Sequence, residues 1–329
     1  MTGILVFSLA SAEGLPRSSL ELVAAAEQLK EKLGDGIVQV ALLGPDAESY
    51  AETLIHHGAD EVLVVSSPEL IDYSTEPILT VLEAAIRQVS PAVILFPADT
   101  VGGEIAPRLA YRLGAGIVTD CVGFDVDAAG QLRWLRPVYG GKAMAYMVAK
   151  GPLQIATFRQ RAYEPLPEDT SRQGKVQALD VELEPEMARV SLVEEVREEI
   201  EGISLDEAKI VIGGGRGIGD AGAFSELETL AEILQGAVGS SRPPADSGWV
   251  THGKLIGQTG KIVSPNLYIA IGISGAPQHM AGISAAKTIV AINKDEDAPI
   301  FKVAHLGVVD DWRQVVPALI RACRELVGD

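Results

Sequence analysis

The chain has 329 residues, with 27 Lys and Arg against 45 Asp and Glu, a formal charge of −18 and a pI near 4.7. That length suggests two domains, each able to bury its own core, and 47% hydrophobic with 22% charged residues is a globular composition, not a disordered one. An acidic chain with no basic tract argues against nucleic acid as a main partner, because that affinity comes mostly from Lys and Arg neutralising phosphates.

The first apolar run, 4–9, precedes Ala10-Ser11-Ala12, small residues of the kind found at a leader cleavage site. The first basic residue, Arg17, comes after the run, so the charged start of a secretory leader is missing and the run reads as a strand. With no stretch near the ~18 apolar residues needed to span a bilayer, the expectation is a soluble, cytoplasmic protein. Short, β-branched-rich runs at 4–9, 38–43, 61–65 and 93–96 have the pattern of strands buried on both faces. Between them, 20–33, 47–57 and 76–89 carry apolar residues at helical spacing, and Gly34, Gly44 and Gly58 punctuate the units. The alternation implies a parallel sheet with right-handed crossovers. Past Gly114 the runs 117–126, 132–135, 143–148 and 154–158 are interrupted by glycines and read as an antiparallel extension at a sheet edge. Residues 163–174 read as a surface loop, 176–192 as one more exposed strand, and 194–201 (EEVREEIE) as an acidic linker. Two domains are therefore expected, 1–197 and 198–329.

In the second, Ser204-Leu205-Asp206-Glu207 has the form of a helix capping box. A strand at 209–212 then runs into Gly213-Gly214-Gly215-Arg216-Gly217-Ile218-Gly219. A helix over 224–234, strands over 267–271, 288–292 and 300–303, and a closing helix over 312–326 complete it. The fold class is α/β: two domains, each a mostly parallel sheet flanked by helices, Rossmann-like or flavodoxin-like. The glycine run follows a strand, but its register does not fit G-x-G-x-x-G, since the sixth residue is Ile218 or Asp220 depending on the start. Gly257-Gln258-Thr259-Gly260-Lys261 fails the P-loop pattern, because Leu255 replaces the first glycine and Ile262 the magnesium-binding hydroxyl. Cys121 and Cys323 match no metal or disulfide spacing and read as inert thiols. Five scattered histidines, with His56-His57 ending a helix and His252 and His305 without a partner pattern, offer neither a zinc set nor a nucleophilic triad. Asp295-Glu296-Asp297 reads as a turn.

What remains is polar residues set among glycines at strand ends: Arg216, Ser241-Arg242, Gln258-Thr259, Ser274 to His279, Asn293 and Asp311. Carboxyl ends of strands in an open α/β sheet converge on one crevice, and this inventory suits an extended anionic dinucleotide. Serine, threonine, asparagine and exposed backbone N–H groups can take a pyrophosphate, and arginine supplies positive charge. Arg216 taken alone reads as a solvated loop residue. Arg242, in the stiff Ser-Ser-Arg-Pro-Pro segment, reads as functional, and His279 is as well suited to packing as to a ligand.

Three stretches, SSRPPADSGWV, IGQTGKIVSPNLYIAIGISGAPQHMAGI and TIVAINKDEDAPIFKVAHLGVVDDW, closely resemble the electron-transfer flavoprotein alpha subunit. The likeness covers essentially the whole second domain; the first agrees more loosely, in its α/β pattern and in RPVYGGKAMA. The resemblance implies FAD in the second domain, with a beta subunit of related fold forming a heterodimer through contacts with the first. Carried over by position, the flavin site comprises Arg216, Ser241, Arg242, Ile256, Gly257, Gln258, Thr259, Ser274, Gly275, Ala276, Pro277, Gln278, His279, Asn293, Asp311 and Trp312. Gln258 and Thr259 would face N5 of the ring, Arg242 and His279 would lie near the ring with His279 on its C2-carbonyl side, and Ser274 to Gln278, Asn293 and Asp311 would hold the pyrophosphate and AMP half. Such a protein is an electron carrier more than a conventional enzyme: it needs no triad or metal, only charge and hydrogen bonds near N1 and N5, and a cation such as Arg242 favours added negative charge on the ring. His305 departs from the family, which often has Ala-Asp-Tyr-Gly where this chain has Ala-His-Leu-Gly. The implied role is to carry electrons from flavoprotein dehydrogenases to a quinone oxidoreductase or other acceptor. Alternatives are a flavin-bifurcating, NADH-oxidising complex and, from another class, a non-redox adenine-nucleotide-binding regulator.

Overall fold

The computed structural model describes residues 2–11, 13–34, 36–67, 70, 73–183, 193–194 and 202–327. The expected strand beyond residue 183 and the acidic linker beyond Glu194 lie outside them. The chain divides into two units, one of residues 1–138 and 144–196, the other of 139–143 and 197–329.

The first unit is built on seven parallel strands: β1 (Thr2–Leu9), β2 (Gly36–Leu43), β3 (Glu61–Val65), β4 (Val93–Pro97), β5 (Gly116–Cys121), β9 (Gln154–Phe158) and β10 (Lys175–Ala178), in the order β10-β3-β2-β1-β4-β9-β5. Successive side chains of a strand point to opposite faces: Ile4 and Val6 join one buried cluster while Leu5 and Phe7 join the other. Helices α1 (Arg17–Leu33), α2 (Ala51–His56), α3 (Thr75–Val89) and α4 (Thr100–Leu113) connect the strands, α2 entered through a 3₁₀ turn over Ala47–Tyr50.

One expectation is corrected here, and one helix is added. β9 is not an antiparallel edge: it lies parallel between β4 and β5, with Gln154 opposite both Val93 and Gly116. The antiparallel pairing belongs to a separate three-stranded sheet, β6 (Gly123–Val126), β7 (Leu132–Val138) and β8 (Ala143–Met147), within the crossover that a parallel β5-to-β9 step requires. α4 was absent from the sequence reading, because Gly102, Gly103 and Pro107 all oppose a helix by propensity. It forms nonetheless, capped by Asp99, whose carboxylate accepts from the Gly102 N–H at 2.7 Å.

The second unit holds five parallel strands, β11 (Ile210–Gly214), β12 (Ala237–Ser240), β13 (Leu267–Ile271), β14 (Thr288–Asn293) and β15 (Leu306–Val309), ordered β12-β11-β13-β14-β15. Its helices are α5 (Phe224–Ile233), α6 (Arg242–Asp246), α7 (Pro277–Ile283) and α8 (Trp312–Val327). Tyr268 and Ala270 pack with Ile256 and Ile289 on one face; Ile269 and Ile271 pack with Phe224, Leu227 and Val316 on the other. Ser204–Glu207 forms a turn, with Glu207 N donating to Ser204 O, and not a helix start. Residues 300–303 form no strand: 300–302 lie in a 3₁₀ turn, Pro299–Lys302, that ends at Val303, and the fifth strand comes after it. Among the described residues, no helix is long and apolar enough to cross a membrane.

Candidate functional site

Numbered in its own order, the second sheet runs 2-1-3-4-5, so the connections from β11 and β13 depart to opposite sides. Such a switch point opens a crevice at the carboxyl ends of the strands. Most of the polar residues singled out above follow one of those ends. Arg216 follows β11, Ser241 and Arg242 follow β12, Ser274 to His279 follow β13, Asn293 ends β14 and Asp311 follows β15.

At the switch point the glycines serve the backbone itself. Gly272 has φ +62, and a Cβ on it would stand 2.8 Å from Gly217 C. Gly217 N donates to Gly272 O at 3.0 Å and Gly215 N to Ile271 O at 2.9 Å. The loops after β11 and β13 thus lie directly against each other, and Arg216 is left exposed. A Cβ on Gly213 would come within 2.6 Å of Tyr268 Cζ and would overlap its hydroxyl.

Ser240 is fully buried, and its Oγ has no hydrogen-bond partner. Ser241 N donates to Gly214 O at 2.9 Å. Arg242 opens α6, exposed, and its guanidinium donates to Asp246 Oδ2 at 3.3 Å and, through Nη1, to Thr259 Oγ1 at 3.2 Å. The loop bearing Thr259 is tied at several points: Ile256 N to Ser240 O at 2.9 Å, Gly257 N to Lys261 O at 3.1 Å and Gln258 N to Gln278 O at 2.8 Å. Gly257, at φ +151, has the carbonyl of Gln278 3.0 Å from where a Cβ would stand. The chain therefore presents Arg242, Gln258, Thr259 and Gln278 as one exposed polar group. Past β13, Ser274, Ala276 and Pro277 are exposed as well, while Gly275 packs against Ile300.

Three expected contacts differ in this geometry. His279 is 4% exposed, and both its ring nitrogens are taken within the protein. Nε2 pairs with the Tyr268 hydroxyl at 2.9 Å and Nδ1 with the carbonyl of Ile256 at 3.0 Å. The ring is buried with both nitrogens paired inside the protein; burial lowers its pKa to about 4, keeping it neutral. The amide of Asn293 is likewise engaged, Nδ2 donating to Ile273 O at 2.9 Å and Oδ1 accepting from Asp295 N at 3.0 Å, so it braces the loop after β13. Trp312 is 6% exposed in the helix-side core with Arg313 stacked over its ring at 5.0 Å, and its Nε1 has no partner. Asp311 caps α8, its Oδ1 accepting from Arg313 N at 3.0 Å. Sequence reasoning missed Ser240 and Tyr268. For Tyr268 a signal existed: it is the lone tyrosine after Tyr163, in an otherwise apolar strand. His305 takes a structural place, its Nδ1 accepting from Ile289 N at 3.0 Å.

The two thiols are buried, and burial pushes that of Cys121 up to about 12. No group of three or more His, Cys, Asp or Glu among the described residues is arranged to hold a metal. The crevice offers hydroxyls, amides and two guanidiniums with the unmet hydrogen-bonding capacity of Ser240 beside them, a donor set that fits a pyrophosphate-bearing dinucleotide.

Comparison with known proteins gives two family matches: the Electron transfer flavoprotein domain over residues 4–184 and the Electron transfer flavoprotein FAD-binding domain over residues 204–284. The chain is 40% identical over 308 residues to the electron transfer flavoprotein subunit alpha of Bacillus subtilis, covering 94% of this chain and 93% of that one. It is 41% identical over 310 residues to the subunit of the same name from Thermoanaerobacterium thermosaccharolyticum, with the same coverage. To Protein FixB of Clostridium saccharobutylicum it is 37% identical over 328 residues, 99% of this chain and 97% of the relative.

Proposed function

The chain belongs to the electron transfer flavoprotein alpha-subunit family and carries that family's FAD-binding domain, and from this premise we propose that it works as the alpha subunit of a cytoplasmic heterodimer with a beta subunit, taking electrons from flavoprotein dehydrogenases and passing them to a quinone oxidoreductase. The observation that supports this reading best is the exposed group of Arg242, Thr259, Gln258 and Gln278 beside the strand-end crevice of the second sheet, where the Arg242 to Thr259 hydrogen bond is 3.2 Å.

When bound, FAD supplies the redox chemistry, accepting and releasing electrons on its ring. The protein's part is to hold and to tune. Arg242 places a permanent cation beside Thr259, and a charge so placed favours electron density added to a neighbouring ring. The Thr259 hydroxyl accepts from Arg242 and keeps its own proton to donate. Arg216 and the exposed backbone at Ser274 and Ala276 suit the phosphate end. The neutral, inward His279 fixes the carbonyl of Ile256, and with it the start of the loop that carries Gln258 and Thr259.

The direct test is the visible spectrum of the chain co-expressed with its beta partner. Flavin bands with one FAD released per heterodimer are expected. A colourless heterodimer that takes up no flavin on reconstitution would overturn the reading in favour of the non-redox regulator. Bleaching of the bound flavin by NADH alone would replace the carrier role with the bifurcating one.

A further inference from the structure

Tyr268 stands 0% exposed on the central strand β13 of the second unit. Its hydroxyl is 2.9 Å from His279 Nε2, and His279 Nδ1 is 3.0 Å from Ile256 O. A carbonyl only accepts, so Nδ1 must carry the ring proton; Nε2 is then an acceptor, and the tyrosine must donate to it. The relay has one direction and one tautomer. Its three members lie on β13, on α7 and at the head of the 256–260 loop, and Gly213 on β11 lacks a Cβ where the hydroxyl stands. Three of the segments that form the crevice are thereby referred to one buried hydrogen-bond chain.

We infer that Tyr268 is a positioning residue for the flavin site: by donating to His279 Nε2 it anchors the ring whose Nδ1–H holds the Ile256 carbonyl, and so sets the pose in which Gln258 and Thr259 are presented. The inference rests on the FAD reading above for its functional consequence, but not for its geometry. Without the hydroxyl, a buried ring nitrogen loses its partner, and the imidazole is free to turn about its side-chain torsions, so that Nδ1–H no longer holds the Ile256 carbonyl and the loop is released. Burial drives the same way, since it keeps His279 uncharged and denies it the option of two donors.

The test uses the full chain with its beta partner, comparing wild type with Tyr268→Phe, a change that removes one oxygen and leaves the ring. Expected are roughly tenfold weaker FAD binding to the apo-heterodimer, faster hydrogen exchange at amides 256–260, and an altered visible circular dichroism of the bound flavin, which loss of stability alone would not produce. Wild-type FAD affinity together with unchanged exchange in Tyr268→Phe would overturn the inference. Nitrogen-15 shifts of the His279 ring in the wild type decide the matter even if the variant fails to fold: a proton on Nδ1 supports the relay, and one on Nε2 overturns it. If the wild type itself binds no FAD, the functional reading fails, while ring tautomer and amide exchange still judge the relay separately.

Discussion

At the residue scale, the cation and the buried imidazole make opposite kinds of contribution. Arg242 is exposed and charged, and in the role proposed above its removal would subtract electrostatic support from a flavin ring held beside it. Arg242→Ala is expected to lower the flavin midpoint potential by several tens of millivolts, equivalent to roughly 1 kcal/mol for one electron; a spectroelectrochemical titration with the potential unmoved would show that the guanidinium does not face the ring. His279 acts through neutrality. Its pKa falls from 6.5 to about 4 on folding, so between those values the unfolded chain binds a proton that the folded chain refuses, and stability rises with pH. Fully present above about pH 6.5, this contribution is lost as pH drops toward about 4, amounting to roughly 3 kcal/mol across that window. Urea unfolding at about pH 7 and pH 4.5 should show a larger loss in wild type than in His279→Gln, which has no such proton to bind; equal losses would contradict the assignment. That Arg242 and Thr259 belong to one polar group was legible in the sequence, because both sit among strand-end glycines; their hydrogen bond to each other was not. The inward ring of His279 was not, because its partners, Tyr268 and a backbone carbonyl, give no motif.

At the scale of elements, glycine decides how closely strand-end loops stack. Gly272 and Gly248 both have positive φ, +62 and +70, but a Cβ on Gly272 would meet Gly217 and Ile218 backbone, whereas nothing lies within 4 Å of one on Gly248. Each alanine substitution costs about 1–2 kcal/mol for its backbone conformation, and Gly272→Ala adds the cost of separating two loops. Its denaturation midpoint is expected to fall at least twice as far as that of Gly248→Ala; equal falls would mean that the close approach carries no energy. Buried runs such as 4–9 and 93–96 were readable as strands, since a β-branched apolar run bounded by turns allows little else. The place of β9 between β4 and β5 was not readable, because strand order is decided by packing between distant segments. The Ser204–Glu207 pattern is satisfied by a turn, since a capping box needs an apolar helical face behind it and Lys209 begins the approach to β11 instead.

For the whole molecule, the formal charge of −18 sets how it meets others. Complementary charge chiefly accelerates encounter, and salt screens it over about 8–10 Å. For the dehydrogenase donor of the proposed role, association is expected to slow severalfold as ionic strength rises from about 20 mM to about 200 mM, with dissociation changed far less. Stopped-flow association rates that ignore salt would show that the acidic surface faces away from the docking site.

Gly213 and Tyr268 have a consequence that reaches past this one chain. Because a side chain at 213 and a hydroxyl at 268 would claim the same volume, position 213 cannot take a side chain while the tyrosine stays. Across relatives, alanine or larger at 213 is expected only beside a residue smaller than tyrosine at 268. A lineage that abandoned the tyrosine would gain freedom in its first glycine run, and one that kept it would keep the glycine too.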